Sequence, residues 1–223
     1  MSIERQLQTM RRDWDQRARQ NAWHFVATGK SEWTAEQFFA SGERAVADYI
    51  LGDLTNICQG KAAGDMRVLE IGCGAGRVTR ALARLFGEVH AVDISEEMLE
   101  RARLSLAGIH NVHLYRNNGM DLGVVPAIPF DFAFSIIVFQ HIPSREVIAS
   151  YLREVHRLLR AGALFKLQVR GNTSDSSAPD DTWVGVALSE DDATALAFEC
   201  GFEPRYSTGA GTPDFWLWFF KAG

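Results

Sequence analysis

Apolar residues recur along this chain with two periods, and each period predicts a type of secondary structure. Short apolar runs, typical of strands buried on both faces, lie at 66–71, 89–93, 112–115, 130–138, 163–169, 202–206 and 214–221. Apolar stripes at helical spacing lie at 3–20, 41–51, 78–86, 95–106, 144–160 and 189–201. Because strands and helices alternate from residue 66 onward, the pattern predicts an α/β fold built on a mostly parallel sheet.

A glycine-rich turn follows the first predicted strand. Gly72, Gly74 and Gly76 occupy every second position and remove Cβ atoms where a ligand could approach the backbone. A dinucleotide site would need G-x-G-x-x-G, but Arg77 stands where the third glycine would be. Glu70, two residues before the turn, would repel a pyrophosphate, whereas it could accept a hydrogen bond from a cationic amino group. The turn therefore favours a ligand without phosphates.

A second acid, Asp93, ends the second predicted strand, 21 residues after Gly72. A doubly wound fold places an acid here to bind the two hydroxyls of a ribose. Ser95 suits a helix N-cap, and the two glutamates after it suit the positive end of a helix dipole. Met98, on the next helix, could either pack against an adenine or fill the core.

The glycine turn with Glu70 and Asp93 resembles the first two motifs of class I S-adenosylmethionine (SAM)-dependent methyltransferases, in particular bacterial small-molecule enzymes. The resemblance covers about residues 60–221. It implies a Rossmann-like, doubly wound, seven-stranded mostly parallel sheet with an antiparallel last strand. It also implies two parts: residues 1–60 as a helical extension that forms a lid over the active site, and residues 61–223 as the SAM-binding domain. Its cofactor would be SAM, with S-adenosylhomocysteine (SAH) as product.

The same resemblance implies the residues that bind the cofactor. Within the loop after the third strand the alignment is uncertain by a residue, so three neighbours are candidates for contacting adenine. The set is Glu70, Gly72, Cys73, Gly74, Gly76, Asp93, Ile94, Met98, Asn118, Gly119, Met120, Val138 and Phe139.

The segment Phe139-Gln140-His141-Ile142-Pro143 resembles the fourth motif of these enzymes, where a strand ends beside the reacting methyl. We expect His141 to act as the general base, because an imidazole titrates near neutral pH; a structural role is the alternative. His24 is the reserve. Candidate substrate-binding residues are Trp14, Trp23, His24, Arg170 and Trp183. The polar stretch 171–181 reads as a long loop.

Composition narrows the remaining classes of function. A net charge of -5 argues against a nucleic-acid surface. Three scattered cysteines fit reduced thiols in a cytoplasm, and the acids show no metal-ligand spacing, so we expect no metal. The chain shows neither a signal-peptide pattern nor an apolar run of transmembrane length. The basic face of helix 3–20 could rest on a membrane, but we favour packing on its own domain.

These observations lead to one main hypothesis and two alternatives. The main hypothesis is a SAM-dependent enzyme that methylates an oxygen or nitrogen atom of a small-molecule acceptor, acting as a monomer or homodimer. The first alternative is a SAM-binding protein without transfer activity. The second, which Glu70 and Arg77 disfavour, is an NAD(P)-dependent oxidoreductase.

Overall fold

The computed structural model describes residues 2–172 and 182–223; residues 173–181 of the predicted loop lie outside that range. The helices are α1 Ile3–Val26, α2 Ala35–Tyr49, α3 Leu54–Cys58, α4 Thr79–Leu85, α5 Glu96–Ser105, α6 Arg145–Leu158 and α7 Glu190–Glu199. The strands are β1 Arg67–Ile71, β2 Glu88–Asp93, β3 Val112–Arg116, β4 Phe130–Ser135, β5 Leu159–Val169, β6 Phe202–Thr208 and β7 Phe215–Lys221.

The seven strands form one sheet in the order β3-β2-β1-β4-β5-β7-β6. Only β7 among them runs against its neighbours, since it pairs antiparallel with both β5 and β6. The predicted doubly wound, mostly parallel sheet is therefore confirmed. β4 lies near its centre, and its side chains alternate between two cores: Phe130 and Ala133 pack on one face, Phe132 and Phe134 on the other.

Several predicted boundaries are wrong. Helix α2 begins at Ala35 behind an N-cap at Thr34, and α3 lies between the predicted helix 41–51 and the first strand, where no element was predicted. Helix α6 ends at Leu158, not at Ala161-Gly162, because Leu159 turns to extended backbone and pairs with Phe130 of β4. Gly162 therefore lies inside β5, with a φ of +74°.

Helix α1 packs on its own domain. Met10, Ala18 and Ala22 on its apolar side are buried. Its polar side is also used: Ser95 donates a 2.6 Å hydrogen bond to Asp15, and Arg19 pairs with Glu97. The helix is kinked at Asn21, whose backbone is non-helical. In the described residues, the apolar stretches of the helices are too short or too interrupted by charge to cross a bilayer.

A largely buried ion pair fastens the N-terminal segment to the sheet. The Lys166 ammonium on β5 donates to Asp53 at 2.7 Å and to the Tyr49 carbonyl at 2.6 Å. Asp53 also accepts a hydrogen bond from the Trp218 indole. Removing one member of such a pair leaves the other charge uncompensated in a place that water reaches poorly.

We therefore expect Asp53→Ala to lower the free energy of unfolding by about 3 kcal/mol, because it strands the Lys166 ammonium, which is 4% exposed. Lys166→Met should cost less, since Asp53 keeps its bonds to Asn56 and Trp218. Urea denaturation of both variants measures the difference. Equal losses would show that the stranded charge is not the main cost.

Candidate active site

A cleft that opens to solvent lies at the carboxyl ends of the central strands. It sits where the strand order reverses between β1 and β4, the usual ligand position in open α/β sheets. Eight of the predicted cofactor-binding residues line it: Glu70, Gly72, Cys73, Gly74, Asp93, Ile94, Met98 and Val138. The wall also includes His141 and Trp14 from the other predicted sets.

The glycine turn after β1 leaves no room for side chains. Gly72, Gly74 and Gly76 all have positive φ, which L-residues rarely adopt. A Cβ on Gly72 would lie 2.2 Å from Val138, and one on Gly74 would lie 2.8 Å from Val26. The turn thus brings the backbone of the cleft floor against β4's exit loop and the end of α1.

Glu70 lies at the end of β1 beneath this turn and is 3% exposed. Burial raises the pKa of its carboxyl from 4.5 to about 7, although Thr79 and Arg77 favour the ionised form. Its Oε2 atom is buried and has no hydrogen-bond partner among the described residues. A buried acceptor of this kind is costly unless a ligand supplies a donor.

Asp93, the second predicted acid, is held by the backbone around it. Its Oδ2 accepts from the Gly74 N–H and its Oδ1 from the Ser95 N–H, both at 2.8 Å. Burial raises the pKa of this carboxyl to about 6, against the effect of those hydrogen bonds. The geometry fixes one acid on each side of the glycine turn.

Asn117, not its predicted neighbours, reaches the cleft from the end of β3. Its amide donates to the Tyr151 hydroxyl at 2.6 Å, and its Oδ1 has no partner among the described residues. Asn118 instead folds back on Asp121 and the Met120 N–H. Gly119 lies against Ile94 and Leu7, and the Met120 carbonyl accepts from Ser150. Asn118, Gly119 and Met120 are therefore not on the cleft wall, whereas Asn117 is.

Ile137, just after β4, has a φ of +58°, an unusual value for a β-branched residue. Its N–H donates to Gln168 Oε1 at 2.9 Å. Strained backbone of this kind collects at functional sites, held by the surrounding structure. Here it turns Ile136, Ile137 and Val138 onto the cleft wall.

The same glutamine starts a chain of hydrogen bonds that fixes the His141 tautomer. Because Gln168 Oε1 accepts from Ile137, its amide nitrogen donates to Gln140 Oε1 at 3.0 Å and to Asp214. Gln140 then presents its amide nitrogen to His141 Nε2 at 3.3 Å. His141 Nδ1 lies 2.6 Å from the Trp183 carbonyl, which can only accept. The ring is therefore protonated at Nδ1, with the Nε2 lone pair toward Gln140.

The predicted substrate-binding residues separate into two groups. Trp14 and Trp183 both pack against the His141 ring, with centroids 5.2 Å away. Trp23 stacks on Phe38 in a separate aromatic core, and the His24 ring bonds the Lys30 carbonyl. Arg170 is buried and donates to the Gly185 carbonyl and to Asn172. Of the five, Trp14 lines the cleft, whereas Trp23, His24, Arg170 and Trp183 are not on its wall.

Two predicted cofactor residues also lie off the wall: Gly76 faces Leu106, and Phe139 is buried against Tyr151 and Phe165. The cleft wall also contains residues that the sequence did not predict there: Met10, Phe25, Val26, Ile71, Arg77, Val78, Val92, Asn117, Ile136, Ile137, Ile142 and Tyr151. Burial raises the pKa of the Cys73 thiol well above its usual value, which disfavours a nucleophilic thiolate.

A family model and solved structures of other proteins match this architecture. The family model described as "Methyltransferase domain" matches residues 68–162. A magnesium protoporphyrin IX methyltransferase from Synechocystis, solved with bound SAM, aligns with a TM-score of 0.69 at 16% identity, over 97% of each chain. At that identity the likeness concerns the fold.

Curated relatives match over shorter stretches. A protein-L-isoaspartate O-methyltransferase of Nitrosomonas eutropha is 32% identical over 46% of this chain and 47% of its own length. A ubiquinone biosynthesis O-methyltransferase of Xanthomonas oryzae is 31% identical over 48% of this chain and 44% of its own. The chain thus spans less than half the length of these relatives.

The fold is that of the class I SAM-dependent methyltransferases, as the sequence predicted. Residues 68–162 match the model of a methyltransferase domain, and SAM is the cofactor of the class that has this fold. The cleft fits that molecule, because the unpartnered acceptors on Glu70 and Asn117 match the donors that an amino-acid ammonium and an adenine amino group carry.

We expect SAH affinity to increase with pH between 5.5 and 8. An ammonium needs the ionised Glu70, and that carboxyl has a pKa of about 7, so affinity should change by up to tenfold per pH unit below that value. The Asp93 carboxyl, with a pKa of about 6, makes the increase in SAH affinity steeper at the lower end of this pH range. Calorimetric titration across this range measures the change.

Glu70→Gln should bind SAH more weakly at pH 8 and lose the part of the pH dependence that is centred near 7. The exposed Glu100→Gln on α5 serves as the matched control and should follow the parent. In the unliganded protein, pH acts on folding in the opposite direction. Because the folded protein holds the Glu70 proton more tightly than the unfolded chain does, the free energy of unfolding decreases as pH rises from about 4.5 through about 7. A pH-independent SAH affinity in the parent would contradict the assignment.

Proposed function

We propose that this protein is a methyltransferase that moves the methyl group of SAM to an oxygen or nitrogen atom of a small-molecule acceptor. The observation that carries the proposal is the buried Glu70 Oε2 atom, which has no hydrogen-bond partner among the described residues, beneath a turn whose glycines have no room for a Cβ, with Asp93 bonded to that turn. A buried and a half-buried acid in one cleft suit a cationic ligand that carries a diol, and they oppose a pyrophosphate.

Three side chains would hold the cofactor. Glu70 would accept from its ammonium group, and Asp93 would accept from the ribose hydroxyls. Asn117 would accept from the adenine amino group, since the Tyr151 hydroxyl already takes its amide hydrogen. Met98, buried on α5 behind Asp93, would pack against the adenine.

When bound, SAM supplies a methyl group already activated by a sulfonium, so the reaction needs alignment more than electrophilic activation. A hydroxyl or amine acceptor must still lose a proton as its new bond to carbon forms. His141 is the side chain that we assign to this proton, through Nε2, once the acceptor displaces the Gln140 amide from that nitrogen. Its Nδ1–H is held by the Trp183 carbonyl, so protonation at Nε2 gives an imidazolium that this carbonyl stabilises.

The acceptor would lie between His141 and the aromatic residues of the extension. Trp14 and Phe25 on α1 line the cleft, and the guanidinium of Arg17 lies 4.7 Å from the Trp14 ring and 5.2 Å from that of Trp183. Rigid rings beside a hydrogen-bonding histidine suit a small, flat, mostly apolar acceptor. In this proposal residues 1–60 cover the active site and exclude water from the reacting atoms.

The relatives give this proposal a chemical direction. Two of them are named O-methyltransferases, which favours an oxygen atom as acceptor here. The three cysteines are free thiols in the structure, so we propose a reducing, cytoplasmic location. The acidic net charge supports an acceptor other than nucleic acid.

Calorimetric titration with SAH and, in parallel, with NADH tests the cofactor. We expect micromolar binding of SAH and none of NADH. Asp93→Asn should weaken SAH binding at least about tenfold, because it removes a charged hydrogen-bond acceptor. Asp191→Asn, an exposed acid on α7, is the control. NADH binding without SAH binding would overturn the proposal in favour of an oxidoreductase.

Methyl transfer is tested separately, with SAM carrying a radiolabelled methyl group and a panel of phenols, carboxylic acids and amines. SAH binding without turnover of any acceptor would favour a SAM-binding protein without transfer activity.

His141→Gln should lower kcat about a hundredfold on the acceptor found in that panel, while SAH affinity changes little. The loss should shrink as pH rises, since hydroxide replaces the base. His24→Gln, the reserve candidate on α1, should keep full activity because its ring bonds the Lys30 carbonyl outside the cleft. A purely structural role would instead lower SAH affinity or Tm without changing the pH profile.

A further inference from the structure

A cluster of three ligand-type side chains lies at the end of the sheet opposite the cleft. Glu88 opens β2, His90 follows on the same face, and His113 of β3 is the register partner of His90. Glu88 Oε1 is 3.0 Å from His90 Nε2 and 3.1 Å from His113 Nε2. The three ligand atoms all lie within 4.8 Å of one another.

The orientation of His90 is not that of an ordinary hydrogen bond. Its ring is 2% exposed, and despite the 3.0 Å distance Nε2 has no hydrogen-bond partner among the described residues. The in-plane direction of the nitrogen therefore misses the carboxylate oxygen. Three ligand atoms within 4.8 Å of one another are close enough to bind a single ion. A tetrahedral ion with bonds of about 2.0–2.1 Å would hold its ligand atoms about 3.3 Å apart.

The surrounding residues hold the His90 ring and the Glu88 carboxylate in fixed orientations. The Tyr115 hydroxyl is 2.9 Å from His90 Nδ1, which orients the ring and leaves Nε2 for the cluster. Arg67 Nε binds the other carboxylate oxygen, Oε2, at 2.6 Å, so Oε1 faces the histidines. The His113 side chain is 43% exposed, which gives an ion and its water a path from solvent.

We propose that Glu88, His90 and His113 form a binding site for a zinc-class divalent cation. Two imidazoles and one carboxylate suit Zn²⁺, with water in the fourth position. Glu88 and Asp93 are at opposite ends of β2, roughly 16 Å apart along the strand, so the ion would not touch the reacting atoms. The bound ion would link the edge strand β3 to β2 and so stabilise their pairing. The metal-free expectation from sequence failed to foresee this cluster, because strand register brings the residues together.

Cation binding is measured on the full chain, freed of any affinity tag and of metal. Titration with Co²⁺, whose visible absorption is intense in a tetrahedral site, and with Zn²⁺ by calorimetry should give one ion per chain and a higher Tm. His113→Ala and Glu88→Gln should weaken binding at least about tenfold, and Tyr115→Phe should weaken it by about tenfold. His110→Ala, an exposed histidine before β3, should bind like the parent.

Because His113 is half exposed, its substitution tests the site even if variants of the buried His90 do not fold. Weak, non-stoichiometric binding by the parent would overturn the site. Binding that is unchanged in both His113→Ala and Glu88→Gln would do the same, and would indicate ions held elsewhere on the surface. SAH affinity should be the same with and without Zn²⁺, so this test is independent of the proposed methyl transfer.

Discussion

The site depends on one packing constraint: four elements approach the turn after β1 so closely that it has no space for side chains. Val138 from the β4 exit loop lies over Gly72, Val26 of α1 over Gly74, and Leu106 after α5 over Gly76. From the opposite direction, Gly42 of α2 brings its helix onto the Arg77 carbonyl, where a Cβ would stand 2.0 Å away. The cleft is thus the space left between elements that all contact one backbone segment, and this explains why its walls come from distant parts of the chain.

Much of the fold could be predicted because its signals are local. Apolar period, glycine spacing and the two acids at strand ends all lie within a few residues, and the sheet and the placement of Glu70 and Asp93 followed from them. Side chains that arrive from elsewhere could not be read this way. Tyr151 reaches the cleft from α6, whereas Trp23 stacks on Phe38 although Phe25 and Val26, close to it on α1, line the cleft. Neither placement has a signature in the neighbouring sequence.

The electrostatics of the cleft oppose the stability of the unliganded fold. Glu70 is buried and Asp93 is half-buried, and lost hydration raises the pKa of both carboxyls. The Asp93 charge also disfavours ionisation of Glu70, and both charges disfavour ionisation of the Cys73 thiol. Arg77 is buried beside them and offsets part of that cost, while its own pKa falls because of burial. Such an arrangement is stabilised best when a cation enters, so the binding free energy and the folding free energy are linked.

Ser95 occupies a junction between two parts of the molecule. Its backbone N–H holds Asp93, and its hydroxyl both caps α5 and donates to Asp15 of α1. Thermodynamic reciprocity gives this shared residue a consequence. If docking of α1 increases the affinity of a ligand that binds Asp93 by some factor, binding of that ligand increases the equilibrium constant for docking of α1 by the same factor. A ligand in the cleft would then be detectable far from it, because amide exchange and proteolysis would become slower in α1, which begins at residue 3.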